Sequence, residues 1–214
     1  DRGNWPALIM ATSQRGISIQ GEGSIDGNST ELVKQFDRIK ATKSFMEYFP
    51  RVKPGQKISY IGPTGNPTEI DPHAIMAQGA MEKHLYGNMT RPYEHVRPQV
   101  IEFRKCSNVR IQDVTLRNSA NWVQTYRDCE DMQFYRVKVR STGYWNNDGI
   151  DLVDCRGVVM LDCDIDSADD ALCLKSEPFG KGCEDIVVSR TKLASRASAI
   201  KFGTASHIGF KRIH

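Results

Sequence analysis

The sequence has no apolar run approaching the ~20 residues that a helix needs to cross a bilayer, so no membrane-spanning helix is expected. It has no marked excess of either charge. The 29 Lys and Arg stand against 26 Asp and Glu, a formal balance of +3. A balance this small argues neither for nor against nucleic acid; the basic residues are not gathered into a block, and no nucleic-acid partner is expected. None of its six cysteines shows the paired C-x-x-C spacing of a zinc site. No signal peptide is visible at Asp1, and a secreted form of this protein is expected to be mature or trimmed.

What is present is enough for one domain with a sizeable core: 214 residues, of which 39% are hydrophobic. Residues Trp5 to Ile25 contain an apolar stretch, Ala7 to Ala11, and then Ile17, Ile19 and Ile25 alternating with small and polar residues. That pattern predicts short strands joined by tight turns. From about 28 to 96 no matching pattern continues. Glu31 to Tyr48 reads as a helix with Leu32, Phe36, Ile39 and Phe45 or Met46 on one face, and five prolines from Pro50 to Pro72 interrupt the chain after it. This stretch is expected to be an irregular insertion within one domain spanning 1–214. Asn28-Ser29-Thr30 and Asn88-Met89-Thr90 fit the N-glycosylation pattern, which is common by chance.

From Arg97 onward a repeat takes over. Segments beginning at Asn108, Asp131, Gly157, Asp185 and His207 align, with steps of 23, 26, 28 and 22 residues. Apolar residues recur at fixed offsets, as in Val109, Ile111, Val114 and Leu116, then Met132, Phe134, Val137 and Val139, then Val158, Met160, Cys163 and Ile165. Two-residue steps are strand alternation, and the three-residue step between the pairs predicts a bend with one extra residue. A unit this short cannot bury its own apolar face, but stacked units can. With no helical segments between the strands, the fold class is all-β, a parallel β-helix. Leucine-rich repeats of similar period would show Leu-x-x-Leu-x-Leu, which is absent.

Cys106, Cys129, Cys155 and Cys183 each precede an aligned start by two residues. Equal phase means vertical stacking, so an internal column of buried thiols is favoured over disulfides. The strand leading into each cysteine has Ile101, Val123, Ile150, Leu172 and Ile200 pointing inward. Glu102, Gln124, Asp151, Cys173 and Lys201 are then expected to form an outward ladder. Asn121, Asp148, Asp170 and Ser198 share the phase just before it, which sets Asp148 and Asp170 on adjacent coils with Asp169 next door. Aspartate and asparagine are common in turns that carry no chemistry, but two such motifs in register on one face point to a site. Carboxylates so close must split their pKa values. That split is what glycoside hydrolysis asks of an acid and a base. A Ca²⁺ site is the second reading of the same cluster.

Several motifs together resemble the polygalacturonase (pectinase) family, glycoside hydrolase family 28. They are Arg97-Pro98 through Ile111, Val114 through Trp122, Asn146-Asn147-Asp148-Gly149-Ile150-Asp151, and Asp169-Asp170-Ala171-Leu172-Cys173-Leu174-Lys175-Ser176. The resemblance covers Arg97 to about Ser206, and Gly16 to Gly27 more loosely. It implies a right-handed β-helix that hydrolyses α-linked uronic-acid polysaccharide with inversion. It also implies a secreted, periplasmic or cell-surface location, an acidic polysaccharide or oligosaccharide as partner, and no cofactor or metal. Asp169 resembles the general acid, and Asp148 and Asp170 resemble the pair that holds and activates water. Asn147, Arg196, Lys201 and Trp122 are the candidate substrate-binding residues.

Two departures stand out. The family's Gly-His-Gly is replaced by Ala197-Ser198-Ala199, and its later Arg-Ile-Lys would fall beyond His214. Lys201 and Arg196 are therefore the candidates for a cationic role toward an acidic sugar. Phe210 to His214 read as a strand with no polar cap, so further coils are expected in a longer protein. A calcium-dependent polysaccharide lyase and a non-catalytic glycan-binding β-helix are the alternative functions.

Overall fold

The computed structural model describes residues 6–42, 53, 55–61, 67–71 and 97–214. The chain divides into two compact units, Ala7–Ser29 with Gln99–His214, and Asp1–Pro6 with Thr30–Pro98. The first begins with three short strands, β1 (Ala7–Thr12), β2 (Ser18–Gln20) and β3 (Ser24–Asp26). The chain then enters helix α1 (Ser29–Thr42) and an antiparallel pair, β4 (Ile58–Ile61) with β5 (Pro67–Ile70). Helix α1 begins two residues before the expected Glu31. Phe45, Met46 and Tyr48 lie outside the described residues, as do the side chains of Phe36 and Ile39.

After this the chain winds through coils of three strands. They are β6 (Gln99–Arg104), β7 (Ser107–Gln112) and β8 (Thr115–Arg117), then β9 (Gln124–Arg127), β10 (Glu130–Tyr135) and β11 (Lys138–Ser141). Next come β12 (Ile150–Val153), β13 (Arg156–Leu161) and β14 (Asp164–Ser167), followed by β15 (Leu172–Ser176), β16 (Cys183–Ser189) and β17 (Lys192–Ser195). Strands β18 (Ile200–Ser206) and β19 (Phe210–Ile213) close the described chain. The three sheets run β1-β6-β9-β12-β15-β18, β2-β7-β10-β13-β16-β19 and β3-β8-β11-β14-β17. Every contact within them is parallel, so the fold is a parallel β-helix.

The apolar offsets become vertical stacks. Ile19, Ile111, Phe134, Met160 and Val188 are successive partners in the second sheet. Ile25, Leu116, Val139, Ile165 and Leu193 do the same in the third, and Phe103, Tyr126, Leu152, Leu174 and Phe202 in the first. The bend between the second and third sheets is made by Asp113, Arg136, Asp162 and Arg190, all left-handed with φ of 61°, 50°, 54° and 48°. This is the extra residue in the three-residue step. Acidic and basic side chains alternate up that column. Arg136 pairs with Asp113 at 2.6 Å and Arg190 with Asp162 at 2.7 Å, and these exposed contacts contribute little to stability.

The first sheet departs from the sequence expectation at one coil. Gln124, not Val123, partners Ile101, and Thr125 partners both Glu102 and Asp151. Gln124 therefore turns inward, where its carbonyl oxygen accepts a hydrogen bond from the buried Tyr126 hydroxyl at 2.8 Å. The outward ladder is Glu102, Thr125, Asp151, Cys173 and Lys201. The polarity of Gln124 is misleading because a hydroxyl inside the core donates to its carbonyl oxygen.

The cysteine column forms as expected. All six cysteines are free and buried. The Cys129, Cys155 and Cys183 thiols donate to the carbonyls of Phe103, Tyr126 and Leu152 on the coil before, at 3.5, 3.2 and 3.3 Å. Burial pushes the Cys129 thiol up to about 12 and that of Cys183 to about 11, so these are inert thiols. A thiol-reactive probe is expected to count no fast-reacting group in the native protein and six after denaturation without reductant. A count of four after denaturation would reveal a disulfide.

Candidate active site

The site is built where three coils begin their strands in the first sheet. The Gly149 amide donates to the Asp170 carbonyl at 2.8 Å, and the Ala171 amide to the Ser198 carbonyl at 2.9 Å. Asp148, Asp170 and Ser198 are thereby stacked. The Val123 amide donates to the Asp148 carbonyl at 2.8 Å. With Thr125 opposite Asp151, the residue in phase below Asp148 is Trp122, not Asn121. This second correction has the same one-residue cause as the Gln124 slip.

Local chemistry explains the turn that carries Asp148. Asn147 is buried, and its carboxamide nitrogen donates to the carbonyls of Ser119 and Asn121, both at 2.8 Å. Its oxygen accepts from the Ser141 hydroxyl and the Tyr144 amide, both at 3.1 Å. All its hydrogen-bonding groups point into the protein, so it acts on the site by clamping the coil below. Gly149 has no room for a side chain. A Cβ there would lie 2.5 Å from the Ala171 carbonyl oxygen and 2.5 Å from Ile165 Cγ2.

Asp148 and Asp170 are buried, and Asp169 is half-buried. Side-chain oxygens of Asp148 and Asp170 lie within 4.8 Å of each other and of the Cys173 sulfur. Asp169 is held through its backbone: its carbonyl accepts from the hydroxyls of Ser167 at 2.8 Å and Ser195 at 2.7 Å. One of its carboxylate oxygens accepts from the Asp170 amide at 3.1 Å. Lys201, half-buried on β18, places its ammonium 2.8 Å from Asp170 Oδ2. Arg196 is exposed.

Two charged groups that the sequence did not mark as site residues, Asp151 and Lys175, complete the cluster. Lys175 lies two residues after Cys173 on β15, so strand alternation puts it on the same outward face. Its ammonium contacts Asp151 Oδ1 and lies 3.4 Å from Asp148 Oδ2. It also sits 3.4 Å above the Trp122 ring centroid. Trp122 is itself only 6% exposed, so this face of its ring is taken by Lys175 rather than open to a sugar. The alternation signal was available for both Asp151 and Lys175, but their convergence across coils was not.

Burial, followed by the charge of Asp151, raises Asp148 to about 9, against the pull of Lys175. Burial also raises Asp151, while Lys175 opposes it. One ammonium faces two buried carboxylates, so burial and their mutual repulsion push both of them upward, toward the neutral form.

Among the described residues, the one trio of possible metal ligands is Asp148, Asp170 and Cys173. It does not suit calcium, which takes six to eight oxygens. One donor is a thiol that burial keeps protonated, and both carboxylates already face ammonium groups.

A parallel β-helix with acidic side chains stacked on the outer face of one sheet is the class that this geometry defines. Within it, the chain belongs to glycosyl hydrolases family 28, whose family model matches residues 39–189. Similar solved structures include a hyperthermoactive exopolygalacturonase from Thermotoga maritima, with 22% identity and a TM-score of 0.56 over 94% of this chain and 42% of that one. A family 28 exopolygalacturonase from Yersinia enterocolitica has 16% identity and a TM-score of 0.57 over 96% and 37%. A candidate glycosyl hydrolase from Parabacteroides merdae has 20% identity and a TM-score of 0.52 over 89% and 60%. This chain thus spans between 37% and 60% of the length of these proteins. No curated protein matches it.

The raised Asp148 has a consequence for stability. A folded-state pKa near 9 against an ordinary value of 3.8 means that the folded protein binds the extra proton between those pH values. Stability from this group therefore falls as pH rises through that window. Asp148→Asn removes the dependence. Its melting temperature relative to the unaltered protein is expected to rise steadily from pH 5 to pH 9; a constant difference would contradict the assignment.

Proposed function

We propose that this chain carries the acid–base centre of a hydrolase acting on α-linked uronic-acid polysaccharide of the polygalacturonate type, with inversion at the anomeric carbon. The observation that carries the reading is the stacking of Asp148 and Asp170 with oxygens within 4.8 Å, beside the less buried Asp169. A water accepted between two oxygens at about 2.8 Å from each fits that gap. Its oxygen bonds to the anomeric carbon from one face as the glycosidic C–O bond breaks on the other. Asp169 gives its proton to the leaving oxygen, and Asp170 takes the proton lost by the water.

Lys201 serves the acidic substrate in this scheme. Its ammonium is the half-exposed cation at the centre, already on Asp170 at 2.8 Å, and a uronate carboxylate would share it. Arg196, exposed on the turn before β18, adds positive charge on the same flank. Family membership supports the hydrolase over the calcium-dependent lyase, and the poor fit of the acidic cluster to calcium removes the lyase's main support. A polymeric substrate of this kind implies work outside the cell or at its surface. Among the described residues no helix is long and apolar enough to cross a membrane.

The test is reducing-sugar release from polygalacturonate by a protein containing this chain and any flanking coils. Asp169→Asn is expected to lower kcat by about 10²–10⁴-fold, the usual worth of a general acid; near-normal turnover would remove Asp169 from that role. Lys201→Ala is expected to raise KM for the acidic oligosaccharide by about 10–100-fold, the worth of a hydrogen bond to a charged group. Unchanged kinetics would reject its part in substrate binding.

A further inference from the structure

The proposed reaction leaves the buried ammonium of Lys175 without a task. Lys175 leaves β15 against Gly203, where an added Cβ would approach its Cγ to 2.8 Å. Only a glycine on the next coil leaves room for this path. The ammonium then reaches back across β12 to Asp151 and Asp148, and rests on the Trp122 ring of the coil beyond. Four successive coils thus contribute to one closed contact, and the ammonium is spent inside the protein. Lys201, by contrast, is half-exposed and touches only Asp170 among these carboxylates.

The buried charges do not balance. Asp148 and Asp151 are both buried, and one lysine lies between them; Arg127, which also acts on Asp151, is already paired with Glu102 and Glu177. An aromatic face is a good seat for a cation but supplies no formal charge. In a dry site the excess negative charge is relieved by keeping a proton on one carboxylate. Asp151, in closer contact with Lys175, is the better-stabilised anion, which leaves the proton with Asp148.

Resting on the hydrolase reading, we propose that Lys175 is a positioning residue: anchored by Asp151 and the Trp122 ring it fixes the place of the Asp148 carboxyl, which burial and the neighbouring carboxylates keep neutral, so that Asp148 orients the attacking water and Asp170 alone accepts its proton. Asp148 then neither gains nor loses a proton in the bond-making step. The carboxylates facing Asp148 agree in sign. Asp151 from β12, and Asp169 and Asp170 from the turn before β15, all favour its neutral form, and only Lys175 opposes. Cys173 lies close as a thiol. Arg127 from β9 acts on Asp151, and Lys201 from β18 acts on Asp170.

The test reads Asp148 directly and without substrate. In protein labelled with ¹³C at aspartate carboxyls, one resonance absent from Asp148→Asn is expected to be protonated at pH 7. Lys175→Met removes the cation and is expected to move that titration up. Asp151→Asn removes the opposing charge and is expected to move it down, each by about one unit or more. Asp151→Asn is nearly isosteric and carries the test by itself if Lys175→Met does not fold. An Asp148 carboxyl already ionised at pH 7, or a titration unmoved in the folded variants, overturns the proposal.

With polygalacturonate, Lys175→Met is expected to lower kcat by about 10²-fold with KM little changed, as for a misplaced reacting group. If the titrations behave as stated and no acidic glycan is turned over, Lys175 still positions Asp148, and the hydrolase reading is what falls.

Discussion

The structure depends on one constraint: each coil must find its hydrogen bonds and its apolar neighbours on the coils above and below. No coil here has a core of its own. Ile111 is buried because Phe134 and Ile19 are its strand partners, and Cys155 is satisfied by a carbonyl of the coil before. The same stacking that closes the core repeats side chains on the outside at strand spacing, about 4.8 Å. Carboxylates that would be scattered in an open chain are therefore brought within reach of one another as a by-product of core formation.

That proximity is costly, and the site is arranged to contain the cost. Asp148, Asp151 and Asp170 are all buried on one flank. Two lysines answer them from different directions, Lys175 from within and Lys201 from the more open side. The division gives neighbouring carboxylates different surroundings. Asp148 is pressed toward its neutral form, whereas Asp170 has an ammonium of its own. Glycines make the arrangement possible. Gly149 lets the Ala171 carbonyl approach, and Gly203 opens the path of Lys175. Asn147 ties the Asp148 turn to the coil below.

Much of this was legible in the sequence. The first four aligned starts, the apolar offsets, the three-residue bend and the cysteine column correspond to observed stacks; the fifth start does not, because Glu184 and Ile186 pair with Lys211 and Ile213, which sets Asp185 opposite Arg212 rather than His207. The pairing of Asp148 with Asp170 on adjacent coils also follows from their common phase. Besides that last start, what failed was the register of the coil that holds β9. Gln124 reads as a surface residue, yet its partner is a tyrosine hydroxyl inside the core. The slip carried Asn121 into the phase that belongs to Trp122, and so hid the ring on which Lys175 rests.

The amino-acid sequence by itself determined the coil, because its period and apolar alternation are local properties that each unit repeats. It also determined which carboxylates share a flank. Only the tertiary structure decided how those carboxylates are answered. Lys175 meets Asp151 and Asp148 across 24 and 27 residues of chain, and Trp122 from further still. That convergence rests on turn lengths between strands. A single residue more or less in such a turn moves a side chain from the outer face to the core, and no local pattern records it.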